Sequence, residues 1–209
     1  MTLYDLKPAF QALLRPAARR IFERGGTANM VTLAAAAGSI LLGLFLAALG
    51  PRWPVLFLLL PVWLFARMAL NAIDGLLARE FGQESRLGAY LNELCDVVSD
   101  AALMLPFALV PPFAPALVVI VVVLAGLAEL AGALGPLVGA ARRYDGPAGK
   151  SDRALAFGVL GLWLGLAGEL PGWAAWLMLL IALLLAATIA NRVRRGLAEA
   201  DARHASAPP

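Results

Sequence analysis

Seven polar or charged side chains stand within two long apolar stretches, where such groups are rare. They are Arg67, Asn71 and Asp74 in the first stretch and Asn92, Glu93, Asp96 and Asp100 in the second. An ionisable group at membrane depth costs on the order of 3 kcal/mol, even on lenient insertion scales. A chain that concentrates several of them in two adjacent segments is therefore expected to use them.

The spacing of these residues predicts two facing polar stripes. Positions 67, 71, 74 and 78 are three or four apart, and positions 88, 92, 96 and 100 are four apart, so each set lies along one side of a helix. The connection between the helices is short, which predicts antiparallel neighbours. At about 1.5 Å per residue, Asp74 lies roughly 7 Å from Arg79 at the cytoplasmic end of its helix. We expect a pocket that opens to the cytoplasm at the level of the lipid headgroups.

Clustered carboxylates without histidine or cysteine partners favour hard cations. Mg²⁺ and Mn²⁺ prefer oxygen ligands, and Mg²⁺ commonly shares its coordination with substrate phosphates. The only histidine, His204, is in the tail, and Cys95 points away from the Asp96 side of its helix, so zinc is not expected. We predict one or two Mg²⁺ or Mn²⁺ ions. The alternative is a polar network that only holds helices together.

The elements that must position these residues are membrane-spanning helices. Hydrophobic residues make up 61% of the 209 residues, charged residues 15%, and the mean hydropathy is +0.80, whereas soluble domains carry about a quarter charged residues. This composition excludes a separate soluble domain. The sequence predicts an all-α integral membrane protein with six transmembrane helices. Their approximate ranges are 29–49, 54–79, 86–109, 113–141, 152–169 and 172–191.

The distribution of basic residues predicts the topology. In a six-span arrangement, fifteen of the seventeen Lys and Arg residues fall on one side. The positive-inside rule makes that side cytoplasmic, so both termini are expected in the cytoplasm of a bacterium, with the bundle in its inner membrane.

Both ends of the chain differ from the spans. Residues 1–25 place apolar positions at helical spacing beside Lys7, Gln11, Arg15 and Arg19, which predicts an amphipathic helix on the membrane surface. An ordinary helix packed on the bundle is the alternative. Residues 26–196 form the predicted six-helix domain, and residues 197–209 are predicted to be a disordered tail.

Two of these spans carry a long gapped motif. The chain reads Asn71-Ala-Ile-Asp74-Gly75-Leu-Leu-Ala78-Arg79, then eight residues, then Gly88-Ala-Tyr-Leu-Asn92-Glu-Leu-Cys-Asp96. This stretch resembles the CDP-alcohol phosphatidyltransferase family, whose signature is Asp-x2-Asp-Gly-x2-Ala-Arg-x8-Gly-x3-Asp-x3-Asp. Six of the eight fixed positions match without a spacing error. The six-span layout and the cytoplasmic site are similar to the family as well.

The resemblance implies a role for each matching position. Asp74 and the residues at 71 and 92 would hold metal, and Asp96 would be the base that takes the proton of the acceptor hydroxyl. The positions that match the nucleotide-binding part of the motif are Gly75, Ala78, Arg79 and Gly88. The stretch Thr27-Ala-Asn29-Met-Val-Thr32 is similar to the Thr-Pro-Asn-x-x-Thr segment of the family, so Asn29 and Thr32 join the expected nucleotide pocket.

Two positions depart from the signature. Asn71 and Asn92 stand where the family has Asp, and an amide oxygen ligates Mg²⁺ without contributing negative charge. Asp100 continues the stripe of Asp96 and is therefore a candidate additional metal ligand. The departures leave open one metal ion or two, and an active enzyme or a catalytically weakened relative.

The expected reaction moves a phosphatidyl group from CDP-diacylglycerol to a hydroxyl acceptor and releases CMP, in phospholipid biosynthesis. Lys150 and Arg153 are candidate ligands for a phosphate on the acceptor or donor, although topology-setting charges are the simpler interpretation of each arginine. Glycerol phosphate would need such cations more than serine or a neutral polyol, and the sequence does not choose among them.

Two further functions and one assembly state remain to be weighed. Membrane carboxylates also occur in transporters, although these often show repeated or interrupted helices. A lipid- or nucleotide-binding protein without activity is the second alternative. The resemblance implies a homodimer, for which Gly126, Gly132 and Gly135 would allow close helix contact. No nucleic-acid partner is expected.

Overall fold

The computed structural model describes residues 3–206, with side chains from residue 9 to residue 205. These residues form helices and connecting turns without a strand. The α-helices are α1 (Leu3–Glu23), α2 (Ala28–Leu49), α3 (Leu59–Glu80), α4 (Arg86–Met104), α5 (Pro115–Ala133), α6 (Lys150–Ala167) and α7 (Ala175–Ser206). The prediction of an all-α fold is confirmed, and each predicted span corresponds to one of the helices α2 to α7.

Four of the described segments are long and apolar enough to cross a bilayer. They are Ala28–Leu49, Pro54–Glu80, Pro115–Ala133 and Gly172–Ala205. The helices α4 and α6 differ because each lacks an 18-residue stretch with fewer than three charged residues, whereas α3 and α7 have such a stretch before the charged residues at their ends. The charged residues concerned are Glu93, Asp96 and Asp100 in α4 and Lys150, Asp152 and Arg153 in α6. The two helices that composition alone would leave outside the membrane thus carry the predicted base, Asp96, and both predicted phosphate ligands, Lys150 and Arg153.

The helices surround one aromatic and aliphatic core. Phe57, Phe107 and Phe157 are fully or almost fully buried, and the ring of Phe107 lies 5.0 Å from that of Phe57 and 5.3 Å from that of Phe157. α2 packs against both α3 and α4, while α5 packs against α7. A second cluster, which includes Ala18, Leu76 and Leu77, joins α1 to α2 and α3. The core therefore holds α3 and α4, which carry the two polar stripes, at fixed positions on α2.

The fifth helix is shorter than predicted. α5 ends at Ala133, whereas the sequence predicts a span to residue 141. Pro136 cannot continue an α-helix because its ring removes the backbone donor, and Gly139 adopts a positive φ of 86°. The residues after α5 therefore form a loop that returns toward α7.

That loop explains two glycines that the sequence analysis relates to a homodimer. A Cβ at Gly132 would lie 2.5 Å from the carbonyl oxygen of Arg143, and one at Gly135 would lie 2.4 Å from that of Ala141. These glycines allow the chain's own loop to approach α5. Because this loop covers Gly132 and Gly135, the prediction that these two glycines contact a second copy is wrong for the described residues.

The prediction of a disordered tail from residue 197 is wrong as far as Ser206, because α7 continues through this segment. Alanine, glutamate and arginine are strong helix formers. Glu199 also accepts hydrogen bonds from the backbone nitrogen of Ala141 at 3.2 Å and from Arg143 at 2.6 Å. These contacts tie the polar end of α7 to the loop after α5. Residues 207–209 lie outside the described residues.

The same loop is anchored through Asp145. Burial alone would raise the pKa of Asp145, but hydrogen bonds from Arg195 and Arg143 outweigh it and hold the pKa below its ordinary value. Arg143 Nε and Arg195 Nη1 both lie 2.7 Å from the carboxylate. Asp145 thus pairs with Arg143 of its own loop and with Arg195 of α7, and the second pair fixes the loop against α7.

Candidate active site between α3 and α4

The two polar stripes face each other across a cleft. The short connection after α3 contains Gly82 at a φ of 68° and ends at Ser85, whose hydroxyl accepts a hydrogen bond from the backbone nitrogen of Gly88. α3 and α4 have few direct backbone contacts with each other, and each packs on α2 instead. Their side chains, rather than their backbones, meet across the space between them.

Asp74 lies on the α3 wall of this cleft. Its carboxylate is buried, and Oδ2 lies 2.8 Å from Oγ1 of Thr32, which donates to it. The same hydroxyl is 3.1 Å from the carbonyl oxygen of Ala28 one turn earlier in α2. Thr32, which was singled out by a short motif alone, therefore orients the acid that the longer motif assigns to metal.

Asp96 lies on the α4 wall and is the most connected side chain of the cleft. Its Oδ1 is 3.1 Å from Arg67 Nη2 and 3.5 Å from Asn71 Nδ2, and its Oδ2 is 2.5 Å from Lys150 Nζ. About a fifth of the Asp96 side chain remains exposed, and about a third of Lys150. The carboxylate is close enough to Asp74 for their charges to interact. A partly accessible acid thus lies beside one buried cation, Arg67, and one accessible cation, Lys150.

Asp100, one turn further along α4, is closed off. Arg67 Nη1 lies 2.5 Å from its Oδ1, and Arg153 Nη2 lies 2.7 Å from its Oδ2. Both oxygens are therefore occupied by guanidinium donors and Asp100 is only 7% exposed, whereas Asp96, which also faces two cations, keeps part of its carboxylate accessible. These contacts contradict the prediction that Asp100 ligates metal.

Arg153 is equally enclosed. It is 2% exposed, its Nη1 donates to the carbonyl oxygen of Ala148 at 3.2 Å, and its Nη2 also lies 2.9 Å from Glu129. With every nitrogen bonded inside the protein, it presents no donor to a ligand. The prediction that Arg153 binds a substrate phosphate is contradicted, whereas Lys150 remains accessible.

A set of ion pairs behind Asp100 was missed by the sequence analysis. The carboxylate of Glu129 on α5 forms ion pairs with three arginines, which are Arg153 at 2.9 Å, Arg192 at 3.4 Å and Arg142 at 3.6 Å. Arg142 also pairs with Glu93 and lies 4.8 Å from the centre of the Tyr144 ring. The signal available in the sequence was the intramembrane Glu129 itself, since such acids are usually paired. Its partners come from elements that only the fold brings together.

The residues expected to bind nucleotide gather at the N-terminal end of α2. A Cβ at Gly88 would lie 2.8 Å from Asn29 Oδ1, and a Cβ at Gly75 would lie 2.7 Å from Arg79 Nη2. Asn29 can therefore approach α4, and the guanidinium of Arg79 folds over α3, only because both helices carry glycine there. Ala78 lies one turn after Asp74 and is partly buried.

The donor set fits a hard divalent cation. Among residues 9–205 no three His, Cys, Asp or Glu side chains converge as a metal site. The fit therefore rests on two carboxylates, Asp74 and Asp96, together with the amide of Asn71, which reaches Asp96. Asn92 is exposed one turn before Asp96. Oxygen donors with few charges suit an ion that completes its coordination with substrate phosphate.

Comparison with known proteins decides the family. A model of the CDP-alcohol phosphatidyltransferases matches residues 26–188. The chain belongs to this family. It is 48% identical over 194 residues to the inner membrane protein YnbA of Escherichia coli K12. This alignment covers 93% of this chain and 96% of YnbA. The chain is also 33% identical over 96 residues to a phosphatidylinositol phosphate synthase of Mycobacterium marinum, covering 46% of this chain and 39% of that protein.

Solved structures share the fold. The phosphatidylinositol phosphate synthase of Mycobacterium tuberculosis with CDP-DAG bound superposes with a TM-score of 0.74 at 21% identity, over 88% of this chain and 94% of that one. Its complex with manganese and citrate gives 0.73, again at 21% identity, over 88% of each chain.

Membership in the CDP-alcohol phosphatidyltransferase family makes this chain a membrane transferase of phospholipid biosynthesis. The recognition of the family from its signature is confirmed. The apolar helices and the inner-membrane relative are those of a bacterial inner membrane protein. Divalent metal use is supported by membership in the family.

Proposed function

We propose that this phosphatidyltransferase moves a phosphatidyl group from CDP-diacylglycerol to a hydroxyl acceptor in the cleft between α3 and α4, with Asp96 as general base. The observation that carries the assignment is the difference between neighbouring acids. Asp96 is accessible and faces Asn71 and Lys150, while Asp100 is sealed by two arginines. A general base must come within hydrogen-bond reach of the proton it takes, and of these two acids only Asp96 is available for this.

The reaction balances without a further reactant. The acceptor oxygen forms a bond to the phosphorus that carries diacylglycerol, and the bond from that phosphorus to the CMP oxygen breaks. The hydroxyl proton passes to Asp96 and then to water, while CMP leaves with the bond electrons. Asp96 is held in position for this by its contacts with Lys150 and Arg67.

Different residues hold the metal and the nucleotide in this proposal. Asp74, Asn71, Asn92 and Asp96 would hold one or two Mg²⁺ or Mn²⁺ ions, and the bound metal would neutralise the diphosphate and stabilise the leaving CMP. The proposed nucleotide pocket adjoins these residues, because Thr32 donates to Asp74 and Gly75 follows Asp74 in α3. Its residues are Asn29, Thr32, Gly75, Ala78, Arg79 and Gly88.

The arrangement in the membrane follows from the charges. We propose that α2 to α7 all cross the bilayer as a domain of residues 26–196, and that both termini face the cytoplasm. The segment 1–25 would lie at the membrane surface. In support, Leu13 is exposed on α1 while Ala18 is buried against the bundle. The homodimer remains a prediction that needs a surface other than Gly132 and Gly135.

A weakened lipid- or nucleotide-binding protein is the second candidate. It is favoured by one contact, because Asn71 donates to Asp96 where an aspartate could not. Such a protein would bind CDP-diacylglycerol without releasing CMP.

The deciding experiment measures CMP release from labelled CDP-diacylglycerol by purified protein, with Mg²⁺ and Mn²⁺ tested separately across a panel of alcohols. We expect release that stops with a chelator and in Asp74→Asn. The matched control is Asp201→Asn, which makes the same change at an exposed position near the end of α7 and should release CMP normally. Binding without release would establish the second candidate instead.

A further inference from the structure

The ammonium group of Lys150 lies beside both of the acids that the proposed function assigns to metal. Its Nζ is 2.5 Å from Asp96 Oδ2, and it is close enough to Asp74 for their charges to interact. The charges of Asp74 and Asp96 also interact with each other. Lys150 therefore brings a positive charge to the pair of carboxylates that is proposed to hold a divalent cation.

Three cations of the cleft differ in their freedom to leave these acids. Arg67 is 3% exposed and donates to Asp100 as well as to Asp96, so its guanidinium is fixed. Arg79 is exposed and, within the described part of the chain, forms no ion pair with either acid. The side chain of Lys150 is about a third exposed, and its ammonium is held by the pair with Asp96. Lys150 is thus the paired cation that can exchange its partner.

The backbone of Lys150 is held in place by hydrogen bonds around the start of α6. The backbone nitrogen of Gly149 donates to Asp152 Oδ2 at 2.9 Å. The carbonyl oxygen of Ala148 accepts from Arg153 Nη1 at 3.2 Å. Because an ammonium group is carried on a long flexible stem, Lys150 can change its partner without any movement of α6.

Two cations compete for the same carboxylate at this place. A divalent cation held by Asp74 and Asp96 would lie close to the ammonium of Lys150, and like charges repel strongly at short range in a partly buried site. The repulsion is relieved when Lys150 leaves Asp96. Since water screens a partly exposed ion pair, breaking it costs little free energy. That cost nevertheless lowers the affinity of the two acids for metal.

The donor substrate offers the released ammonium a new partner. The diphosphate of CDP-diacylglycerol is anionic, and a lysine binds phosphate as a point charge. Without substrate, the ammonium of Lys150 that leaves Asp96 has only solvent to receive it. With substrate in the cleft, the diphosphate can receive it, and the displacement becomes easier.

We infer that Lys150 is an exchangeable cation, which competes with metal for Asp96 in the substrate-free protein and moves to the diphosphate when metal and substrate bind together. The inference rests on the proposed function, because it takes Asp74 and Asp96 as metal ligands and places CDP-diacylglycerol in the cleft. Its consequence is cooperative binding. The substrate strengthens the binding of metal, and by thermodynamic linkage metal strengthens the binding of substrate by the same factor.

The first test measures Mn²⁺ binding to the purified full chain in detergent without substrate. The electron paramagnetic resonance signal of free Mn²⁺ gives the dissociation constant. We expect Lys150→Gln to bind Mn²⁺ about tenfold more tightly than the wild type, within the range typical of coupled sites. Lys150→Arg keeps the positive charge and should bind Mn²⁺ no more tightly than the wild type. Unchanged or weaker binding by Lys150→Gln would overturn the inference.

Arg79→Gln is the matched control for this test. It removes one positive charge from an exposed side chain that lies against Gly75, the residue after Asp74. We expect Mn²⁺ binding to change by less than about twofold, because a solvent-exposed charge without a paired acid is screened by salt. A gain equal to that of Lys150→Gln would indicate a general effect of charge rather than exchange at Asp96, and it would overturn the inference.

The second test measures how CDP-diacylglycerol changes Mn²⁺ binding when no acceptor is present. Its readout is the ratio of the Mn²⁺ dissociation constants without and with the substrate. Because phosphate oxygens can ligate the ion themselves, some gain is expected in every variant. We expect the ratio to be about tenfold larger in the wild type than in Lys150→Gln. Equal ratios in the two proteins would overturn the inference.

Failure of the inference and failure of the proposed function give different results. If Mn²⁺ binds to neither the wild type nor Lys150→Gln, with or without CDP-diacylglycerol, the proposed metal site is wrong and the inference is wrong with it. If Mn²⁺ binds and is lost in Asp74→Asn, but Lys150→Gln has no effect, the proposed site stands and only the exchange of Lys150 is wrong.

Discussion

Two acids one turn apart on α4 have opposite environments. Asp96 keeps about a fifth of its side chain exposed and pairs with Lys150, whose side chain is about a third exposed. Asp100 is held between the guanidinium groups of Arg67 and Arg153, within a network that extends to Glu129 on α5. Arg67 contacts both acids and joins the two regions. The comparison teaches that one stripe of identical residue types can supply chemistry at one turn and hold the helices together at the next.

Asp96→Asn tests the chemical half of the comparison and should have the largest effect. The amide cannot take a proton, so we expect kcat to fall by about a thousandfold, within the range that a positioned base contributes. Melting of the purified protein in detergent should change little, since the side chain is partly exposed. Activity near the wild-type value would show that another group is the base.

Asp100→Asn tests the structural half. The change leaves Arg67 and Arg153 buried with half of their compensating charge, and we expect a loss of about 3 kcal/mol in unfolding free energy. Chemical unfolding in detergent, followed by tryptophan fluorescence, measures this. Asp96→Asn is the matched control, because it makes the same replacement one turn away. Equal destabilisation by both variants would remove the distinction between the two acids.

Thr32→Val asks whether the second acid of the cleft depends on its hydroxyl donor. Valine keeps the shape but leaves Asp74 without the 2.8 Å hydrogen bond. We expect the Mn²⁺ concentration for half-maximal activity to rise by about tenfold, as for other partners of metal ligands. Ser39→Ala removes another buried hydroxyl of α2, one bonded to Trp63 rather than to the cleft, and should leave metal dependence unchanged. A similar rise in both variants would indicate a general effect on α2.

Arg15→Gln should have the smallest effect. Its pair with Glu80 at 2.7 Å joins α1 to the end of α3, but both side chains are more than a third exposed. Exposed pairs contribute little because water screens them. We expect the activity and the melting curve of the variant to match those of the wild type. A marked loss would mean that the position of α1 controls the cleft.

Helical spacing predicted the site because its two stripes are local features. Asn71 and Asp96 meet across the cleft, and Thr32, which the short motif assigned to the nucleotide pocket, bonds to Asp74. Periodicity gives the side of a helix on which a residue lies. For these residues that information was nearly sufficient.

The same periodicity could not separate Asp96 from Asp100. Their difference is created by Arg153, which lies 53 residues later and reaches Asp100 only because α6 packs beside α3. The end of α7 shows a related limit. Its polar composition indicated disorder, while the contacts of Glu199 with the loop after α5 hold it as a helix. Long-range pairing of charges was therefore the part that the sequence analysis could not supply.

The most direct test of the site is the position of bound manganese. Crystals grown with Mn²⁺ and CDP-diacylglycerol should show anomalous scattering between the carboxylates of Asp74 and Asp96, with oxygen ligands at about 2 Å, and none beside Asp100. Manganese bound at Asp100, or bound away from both Asp74 and Asp96, would contradict a catalytic centre between α3 and α4.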